Sequence, residues 1–385
     1  MVRPFDVCIR GGGITGRTLA LLLARARLRV GFVAHAVARL AASEGADARS
    51  DVRAFALNLK SRELLESVRC WPSAADATPV LKMQVQGDDG GEVVFNATDC
   101  GAPALAWIVD VPVLEAQLAQ AMQFQPQIEL LDAAEPATLQ VVCEGKASNS
   151  RAEFGVEFDV APYPQWAVAA RLHCGKPHHQ TAFQWFSLDG ILGVLPMGGP
   201  VDDGAGASPG KSVSIVWSVN EARAQTLLQM NPDDFCRALQ VATHDCFGPL
   251  ALTSERALWP LQLAHANRWA GTTGGAAWVL AGDAAHTVHP LSGQGLNLGL
   301  ADVAELAALI AGRDYWRSVA VEKLLRRYER ARKADAAALG SVTDGLQRLF
   351  AQNGSGWQAL RNAGMSGFER MGPLKKWVAR QAMGA

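Results

Sequence analysis

The sequence predicts an α/β protein that combines a parallel sheet, an inserted domain built on an antiparallel sheet, and C-terminal helices. The first observation is a strand, a glycine-rich turn, a helix and a second strand within residues 5–33. The second is a middle region, 154–260, whose short apolar runs are bounded by Gly, Pro and Asp clusters, a pattern typical of antiparallel strands. The third is the return, after residue 276, of a buried strand followed by a glycine-rich loop and long helices.

The N-terminal unit begins with the apolar run Phe5–Arg10 and continues into a Gly-x-Gly-x-x-Gly spacing at Gly11, Gly13 and Gly16. In such a loop the first glycine permits a tight turn, the second lets the backbone approach a pyrophosphate, and the third lets the helix pack closely on the strand. The helix predicted over 18–29 would offer its free N–H groups to that pyrophosphate. This order of elements predicts a Rossmann-like unit that binds a dinucleotide.

The other elements follow from hydrophobic periodicity and turn residues. Before the middle region we predict a helix at 61–68, a hairpin of strands 81–86 and 92–96, a helix at 113–122 and a strand at 139–143. Within it we predict strands at 167–173, 181–187, 191–196 and 212–219 and helices at 222–230 and 232–246. After it we predict a strand at 276–281, helices at 293–312 and 319–350, and a helical stretch at 354–385 that is interrupted at Gly372-Pro373.

These elements divide the chain into segments of three kinds. We predict a dinucleotide-binding domain in three parts, at 1–75, 101–153 and 261–312. Substrate-domain strands at 76–100 and a substrate domain at 154–260 interrupt it, and a helical region at 313–385 ends the chain.

Composition excludes several classes of protein. Lys plus Arg is 36 and Asp plus Glu is 37, so the basic excess of a nucleic-acid-binding protein is missing. The longest aliphatic run, Leu19 to Ala24, is too short for a membrane span, and the N-terminus does not resemble a signal peptide. The seven cysteines are scattered without a C-x-x-C pair, which predicts reduced thiols in a cytoplasmic protein and no metal site.

A second cluster of chemically informative residues lies between Gly282 and Gly299. A buried strand delivers Asp283, whose carboxylate can accept hydrogen bonds from the hydroxyls of a polyol. The loop 290–295 has few large side chains, so a planar ring can lie against it, and the next helix begins beside that ring.

This stretch resembles the second flavin-binding motif of the class A FAD-dependent aromatic monooxygenases, which have the p-hydroxybenzoate hydroxylase fold. The ubiquinone-biosynthesis hydroxylases are the most similar branch. The segments that carry the resemblance are Gly282–Gly299, Trp259–Leu261, Asp51–Leu57, Leu64–Trp71, Ala182–Phe186 and Gly190–Pro196.

The resemblance implies FAD as cofactor, NADPH or NADH as co-substrate, and O2. It implies hydroxylation of an aromatic ring through a flavin hydroperoxide, on a phenol that carries a polyprenyl tail. Because the flavin carries this chemistry, no protein side chain is assigned as catalytic. The residues that the resemblance places at the cofactor are Gly11, Gly13 and Gly16 at the pyrophosphate, Arg53 nearby, Asp283 at the ribityl chain, and Pro290, Gly293, Gln294, Gly295, Leu296 and Asn297 beside the isoalloxazine ring.

The sequence departs from the family pattern at three places. Ala34, followed by His35, stands where an acid usually binds the adenosine ribose. Cys143-Glu144-Gly145 replaces the family's Asp-Gly motif, and Asp110 stands where relatives often carry an amide or Arg that faces the cofactor. Two alternatives therefore stay open: a catalytically impaired paralogue that serves as a subunit or scaffold of a biosynthetic assembly, and a flavoprotein reductase on the same fold.

Two further features have two interpretations each. The segment 361–385 has five basic residues and one acidic residue, and it either closes the core or docks on an anionic membrane, such as the inner membrane, or on a partner subunit. His286, His289 and Tyr163 either contact a phenol or are structural.

Overall fold

A computed structural model describes residues 4–34, 51–87, 90–187, 189–198, 210–287, 293–351 and 372–383. Its strands, in chain order, are β1 (Phe5–Arg10), β2 (Val30–Val33), β3 (Ala54–Leu57), β4 (Ala77–Val80), β5 (Lys82–Gln86), β6 (Glu92–Asn96), β7 (Ala106–Asp110), β8 (Ile128–Leu131), β9 (Ala137–Val142), β10 (Phe158–Cys174), β11 (Thr181–Ser187), β12 (Gly190–Met197), β13 (Ser212–Val219), β14 (Leu250–Leu252), β15 (Ala257–Ala266), β16 (Ala270–Thr273), β17 (Ala276–Leu280) and β18 (His286–Thr287). Its helices are α1 (Ile14–Arg25), α2 (Leu59–Ser67), α3 (Val111–Gln123), α4 (Ser150–Glu153), α5 (Glu221–Gln229), α6 (Pro232–Ala242), α7 (Gly295–Ala311), α8 (Glu322–Ala351) and α9 (Gly372–Met383).

The first sheet has the order β16-β17-β9-β1-β2-β8, and all its pairs are parallel except β16 with β17. Helices α1, α3 and α7 contribute to the main apolar core against it, with Leu19, Leu114 and Leu306 completely buried. The carboxyl ends of β1, β9 and β17 lie side by side at one edge. Ligands bind at this edge in open parallel sheets, so the fold directs attention to the loops that follow these strands.

The second sheet has the order β18-β15-β10-β13-β12-β11-β5-β6, with β14 paired to β10. Its pairs are antiparallel, as predicted for the middle region, except that β11 and β5 run parallel. The predicted hairpin of β5 and β6 is confirmed, because Met83 pairs with Phe95 and Val85 with Val93. Helices α5 and α6 cover one face of this sheet through buried residues that include Leu227 and Phe235.

A third, three-stranded sheet has the order β3-β7-β4. The sequence analysis did not predict these strands. Ile108 of β7 and Val80 of β4 are buried against Ala182 and Met197 of the second sheet. The small sheet, whose strands follow the first βαβ unit in the chain, therefore packs directly on the inserted sheet.

The predicted boundaries of α1 and β10 are wrong for identifiable reasons. Helix α1 begins at Ile14, directly after the glycine loop, and ends at Arg25, because Arg27 adopts a left-handed backbone with φ of 60°. Strand β10 begins nine residues before the predicted Ala167, at Phe158. Because prolines are rare inside strands, those at 162 and 164 prevented the first half of β10 from being predicted. The register with β15 shifts between Pro162 and Trp166, where a bulge accommodates the prolines.

Candidate active site

The three glycines of the N-terminal loop have different surroundings. A Cβ atom on Gly11, whose φ is +126°, would lie 2.2 Å from the carbonyl oxygen of Cys143. A Cβ on Gly16 would lie 2.1 Å from the carbonyl oxygen of Gly11, whereas a Cβ on Gly13 would meet no atom of the described ranges within 4 Å. Gly11 and Gly16 are thus required for strand and helix to approach each other, and Gly13 borders open space.

That open space is part of a cavity of about 770 Å³ at the carboxyl edge of the parallel sheet. Two helices begin at its wall, α1 after Gly13 and α7 after Gln294, and neither N-cap residue makes a side-chain capping hydrogen bond. The first N–H groups of a helix have no partner within the helix and carry the positive end of its dipole. This end of the cavity is therefore suited to an anionic, planar ligand.

Asp283 and Thr287 add polar groups to the same wall. Burial raises the pKa of the Asp283 carboxyl, and the charges of Lys146 and His286 oppose that shift. The Oγ1 atom of Thr287 is buried and has no hydrogen-bond partner among the described residues. A buried hydroxyl without a partner is unfavourable unless a ligand or water pairs with it, so this atom indicates a polar ligand in the cavity.

Arg53 and Glu115 face the cavity from its other side. The Arg53 guanidinium binds both carboxylate oxygens of Asp51 and lies 3.5 Å from Glu115 Oε1. Burial raises the pKa of Glu115, and Arg53 opposes the shift. The arrangement holds the Arg53 side chain at the cavity wall.

Arg171, on β10, fixes the backbone that carries Arg53. Its Nη1 donates to Asp110 Oδ2 at 2.6 Å, and its Nη2 donates to the carbonyl oxygens of Asp51 at 3.0 Å and Arg53 at 3.3 Å. Asp110 is therefore paired with Arg171 and does not belong to the cavity lining, contrary to the position that the family pattern assigns to it. The inserted sheet and the cofactor loop are connected through this guanidinium.

A charged network lies directly beneath the Gly282 turn. Asp302 is completely buried, and its Oδ2 accepts from the Gly282 N–H at 2.9 Å. His286 Nε2 lies 2.6 Å from the same oxygen, and Arg332 Nε donates to Oδ1 at 2.7 Å. His286 thus has the structural one of its two predicted roles, and the network positions the turn that presents Asp283.

Asn297 is not among the described residues that line the cavity, and its place beside the isoalloxazine ring stays a prediction. Its side chain is buried, accepts from Asn58 N at 3.0 Å and Ser61 Oγ at 2.7 Å, and donates to Ala56 O at 2.8 Å. The amide therefore ties the first turn of α7 to the segment that joins β3 to α2. Gly293, Gln294, Gly295 and Leu296 do line the cavity.

The other departures from the family pattern have clear surroundings. Ala34 follows β2 and packs on the main core. Glu144 accepts from the hydroxyls of Ser148 and Ser150, each at 2.8 Å, so its carboxylate is engaged within its own loop. Gly145 and Lys146, next to it, line the cavity instead.

The remaining predicted residues lie elsewhere. Tyr163 does not belong to the described cavity lining. His35, His289 and Pro290 lie outside the described residues. The sequence analysis did not select Thr15, Glu115, Lys146 or Thr287, all of which line the cavity. Only Glu115 had a sequence signal, a charge in the first turn of a predicted helix.

The part of the cavity formed by the inserted sheet is mainly apolar, although Gln184, Ser214, Ser218 and Gln262 of the same strands also line it. Phe183 and Phe186 of β11, Val216 of β13 and Leu261 of β15 line it. Phe183 also stacks on Trp185, with ring centroids 5.3 Å apart. One continuous cavity thus has a polar end built on two helix N-termini and an apolar end built on a sheet.

The residues at the polar end fit FAD. Gly13 leaves space where a pyrophosphate would approach α1, Asp283 can accept from ribityl hydroxyls, and Thr287 Oγ1 has no hydrogen-bond partner in the described part of the chain. Residues 136–342, more than half of the chain, match the family model described as FAD binding domain. The chain belongs to the FAD-dependent aromatic monooxygenases.

Two relatives and one solved structure illustrate the relationship of this monooxygenase to the family. It is 30% identical to the 3-demethoxyubiquinol 3-hydroxylase of Escherichia coli, over 99% of both chains. It is 28% identical to the ubiquinone hydroxylase UbiL of Rhodospirillum rubrum, over 98% of this chain and 89% of the relative. The crystal structure of p-nitrophenol 4-monooxygenase PnpA from Pseudomonas putida superposes with a TM-score of 0.74 and 16% identity, covering 100% of this chain and 98% of that one, which shows a shared fold.

These comparisons confirm the predicted family, fold class and cofactor of the monooxygenase, and NADH or NADPH is the usual co-substrate in this family. All seven cysteines are free thiols, and six of them are buried. Within the described ranges, no three His, Cys, Asp or Glu side chains are grouped closely enough to hold a metal ion. None of the helices in the described ranges has the length and apolar character of a membrane span.

Proposed function

We propose that this monooxygenase hydroxylates the aromatic ring of a ubiquinone precursor that carries an apolar tail. The observation that carries the proposal is the single cavity, whose polar end fits FAD and whose apolar end can hold a lipid-like ring substituent. The names of the two relatives, a demethoxyubiquinol hydroxylase and a ubiquinone hydroxylase, support the same substrate class. NADH or NADPH would supply the electrons and O2 the oxygen atom.

In this proposal the protein binds the substrate, orients it against the cofactor and excludes water from the site. Bound and reduced FAD supplies the reaction with O2. Gly11, Gly13 and Gly16 would form the pyrophosphate loop, Asp283 and Thr287 would hold polar groups of the cofactor, and Arg53, paired with Asp51, would lie beside it. The segments 1–75, 101–153 and 261–312 would form the FAD-binding domain around these groups, and 76–100 with 154–260 the substrate domain.

The apolar wall has a further consequence for the reaction. Phe183, Phe186 and Leu261 give this wall its apolar surface, and its polar groups are Gln184, Ser214, Ser218 and Gln262. A ring held against this wall would be shielded from bulk solvent, which disfavours side reactions with water. No protein acid or base is assigned a catalytic role.

A second candidate function is that of a subunit without turnover in a biosynthetic assembly. Ala34 in place of an acid favours it, as does the engagement of Glu144 by Ser148 and Ser150 within its loop. The remaining alternative is a flavoprotein reductase, which would use the same cofactor end without transferring oxygen.

One experiment separates the three functions. The protein is purified without added flavin, its visible absorption is recorded, and NADH or NADPH oxidation is followed with and without a prenylated phenol. The monooxygenase is supported if the protein is yellow and the phenol raises the rate of NADH or NADPH oxidation. The hydroxylated product should then form in stoichiometric amount. Oxidation without product supports the reductase, and a colourless protein that does not take up added FAD supports the subunit without turnover.

We also propose a cytoplasmic protein that contacts the inner membrane or a partner subunit through the outer face of its C-terminal helix. Lys376 and Arg380 of α9 are exposed on that face. Each basic residue near an anionic lipid surface contributes about 1 kcal/mol. A Lys376→Ser/Arg380→Ser variant should co-sediment less with anionic vesicles at low salt than the unchanged protein, and equal co-sedimentation would exclude this face.

A further inference from the structure

The C-terminal helix α9 has an inner and an outer face. Ala379 and Met383, four residues apart, are buried, whereas Lys376 and Arg380 are exposed. The two buried residues form an apolar cluster with Cys100 and pack against neighbours that include Phe95 and Leu105. The helix is therefore attached by the apolar side of its last two turns.

The same inner face also lines the large cavity. Ala379 and Met383 belong to its wall together with Phe95, Leu105 and Met83. These side chains surround the apolar part of the cavity, and Asp283 and the helix N-termini surround the polar part. The last residues of the chain thus contribute to a cavity whose other end is built by the first residues.

The size of these side chains decides how much of the apolar space is open. Ala379 presents only a methyl group, so the wall is recessed at its position, and Met383 is long and flexible and can adapt to what lies against it. Since buried apolar surface contributes roughly in proportion to its area, each methylene that enters this space should tighten binding about fourfold.

We propose that Ala379 and Met383 set the depth of a compartment for the apolar tail of the substrate, and so the length of tail that the enzyme accepts. The proposal rests on the proposed function, because it assigns the tail of that substrate to this part of the cavity. It makes α9 a part of the substrate site, and Ala379 and Met383 residues that determine specificity.

Binding of 4-alkylphenols of increasing chain length to the FAD-loaded protein tests this directly. The dissociation constant is taken from the change in flavin absorbance on titration. In the unchanged protein the constant should fall about fourfold per added methylene until the compartment is full. Ala379→Phe should end this fall at a shorter chain and weaken binding of the longest phenols at least tenfold, with unsubstituted phenol bound within twofold of its usual constant.

Two variants of the same helix complete the design. In Met383→Ala the dissociation constant should keep falling to longer chains, because a long side chain is removed from the wall of the compartment. Arg380→Gln, on the exposed face, should leave the whole series unchanged. Flavin content and melting temperature are recorded for each variant, and Met383→Ala provides the decisive result if Ala379→Phe does not fold.

The outcomes separate this inference from the proposed function. An identical chain-length series in all variants would refute the compartment, even if the enzyme hydroxylates prenylated phenols. A shifted series in Ala379→Phe and Met383→Ala would support the compartment even if no hydroxylated product is formed. Tail lengths accepted in turnover should shift in parallel, through KM more than through kcat.

Discussion

His286 Nε2 and Asp302 Oδ2 lie 2.6 Å apart beneath the turn that carries Asp283, and their side chains are 4% and 0% exposed. The same carboxylate binds the Gly282 N–H and the Arg332 guanidinium. One buried anion therefore connects α7, α8 and the loop after β17. It positions the cofactor turn although it belongs to neither end of the cavity.

Replacing Asp302 by Asn should strongly destabilise the fold, because Arg332 would keep its charge without a buried partner. Breaking a buried ion pair in this way costs about 3–5 kcal/mol. Asp335→Asn is the matched control, since Asp335 binds the same guanidinium from an exposed position, and it should cost about 1 kcal/mol or less. Equal losses in chemical denaturation would contradict the assigned role.

The same carboxylate should make stability depend on pH. Burial alone would raise the pKa of Asp302, but His286 and Arg332 hold it below its ordinary value. A carboxyl whose pKa is lowered by folding stabilises the protein above its unfolded value of about 3.9 and loses that contribution as the pH falls through the folded pKa. Melting temperatures from pH 7 to pH 3 should therefore drop more steeply below about pH 4 in the unchanged protein than in Asp302→Asn.

Gly13→Asp should remove FAD and leave the fold intact. A Cβ at this position meets no atom of the described residues within 4 Å, but an aspartate would place a carboxylate against the pyrophosphate. We expect FAD to bind at least about 100-fold more weakly, which corresponds to roughly 2.7 kcal/mol. The melting temperature of the flavin-free protein should not change. Gly16→Ala is the contrasting variant and should unfold, because its Cβ would overlap the Gly11 carbonyl.

Thr287→Val should separate cofactor binding from stability. The two side chains have nearly the same shape, and the threonine hydroxyl has no partner among the described residues. Its loss should weaken FAD binding about 3- to 10-fold, as expected for one hydrogen bond. The flavin-free variant should melt at the same or a higher temperature, because an unsatisfied buried group is gone. A flavin titration with unaltered affinity would show that the hydroxyl does not contact the cofactor.

Ala34→Glu should tighten FAD binding by restoring the carboxylate that binds the ribose in related sites. A charge-assisted hydrogen bond contributes roughly 1.5–3 kcal/mol, or one to two decades in the dissociation constant. Ala34→Gln is the uncharged control and should gain less. No gain in either variant would mean that another group already binds the ribose.

Arg171→Gln should loosen the loop that presents Arg53 to the cavity. It removes hydrogen bonds to the Asp110 carboxylate and to two backbone carbonyls. We expect about a tenfold loss of FAD affinity, since hydrogen bonds to charged groups contribute roughly 1.5–3 kcal/mol. Asp110→Asn keeps an acceptor for Arg171, so it should lose less FAD affinity than Arg171→Gln. A larger loss in Asp110→Asn would place the main effect on Asp110.

Local patterns predicted much of the fold. The strand β1 was predicted to the residue, and the glycine loop, the hairpin of β5 and β6 and the antiparallel middle region agree with the structure. The sheet of β3, β4 and β7 was missed, because its short strands pair only with one another and their partners are far apart in sequence. Long-range pairing leaves no periodic signal within a single short strand.

The site divides in the same way. Gly11, Gly13 and Gly16 could be recognised because backbone geometry requires glycine at fixed spacing. Thr287 and Lys146 could not, because their importance comes from the cavity that several distant segments enclose. The side-chain contacts of Asn297 could not be predicted either, since they are made with Asn58 and Ser61, more than 200 residues away.

The position of β17 in the first sheet has a consequence for synthesis of the protein. Strands β1, β2, β8 and β9 are complete once residue 142 is made, but β17, which pairs with β9, ends only at Leu280. The inserted sheet, which contains β10 to β15, is made in that interval and can fold while one side of β9 is still bare. An exposed strand edge during this period favours association with other nascent chains. We therefore expect slow translation before residue 280, or a shortage of chaperones, to lower the yield of this protein.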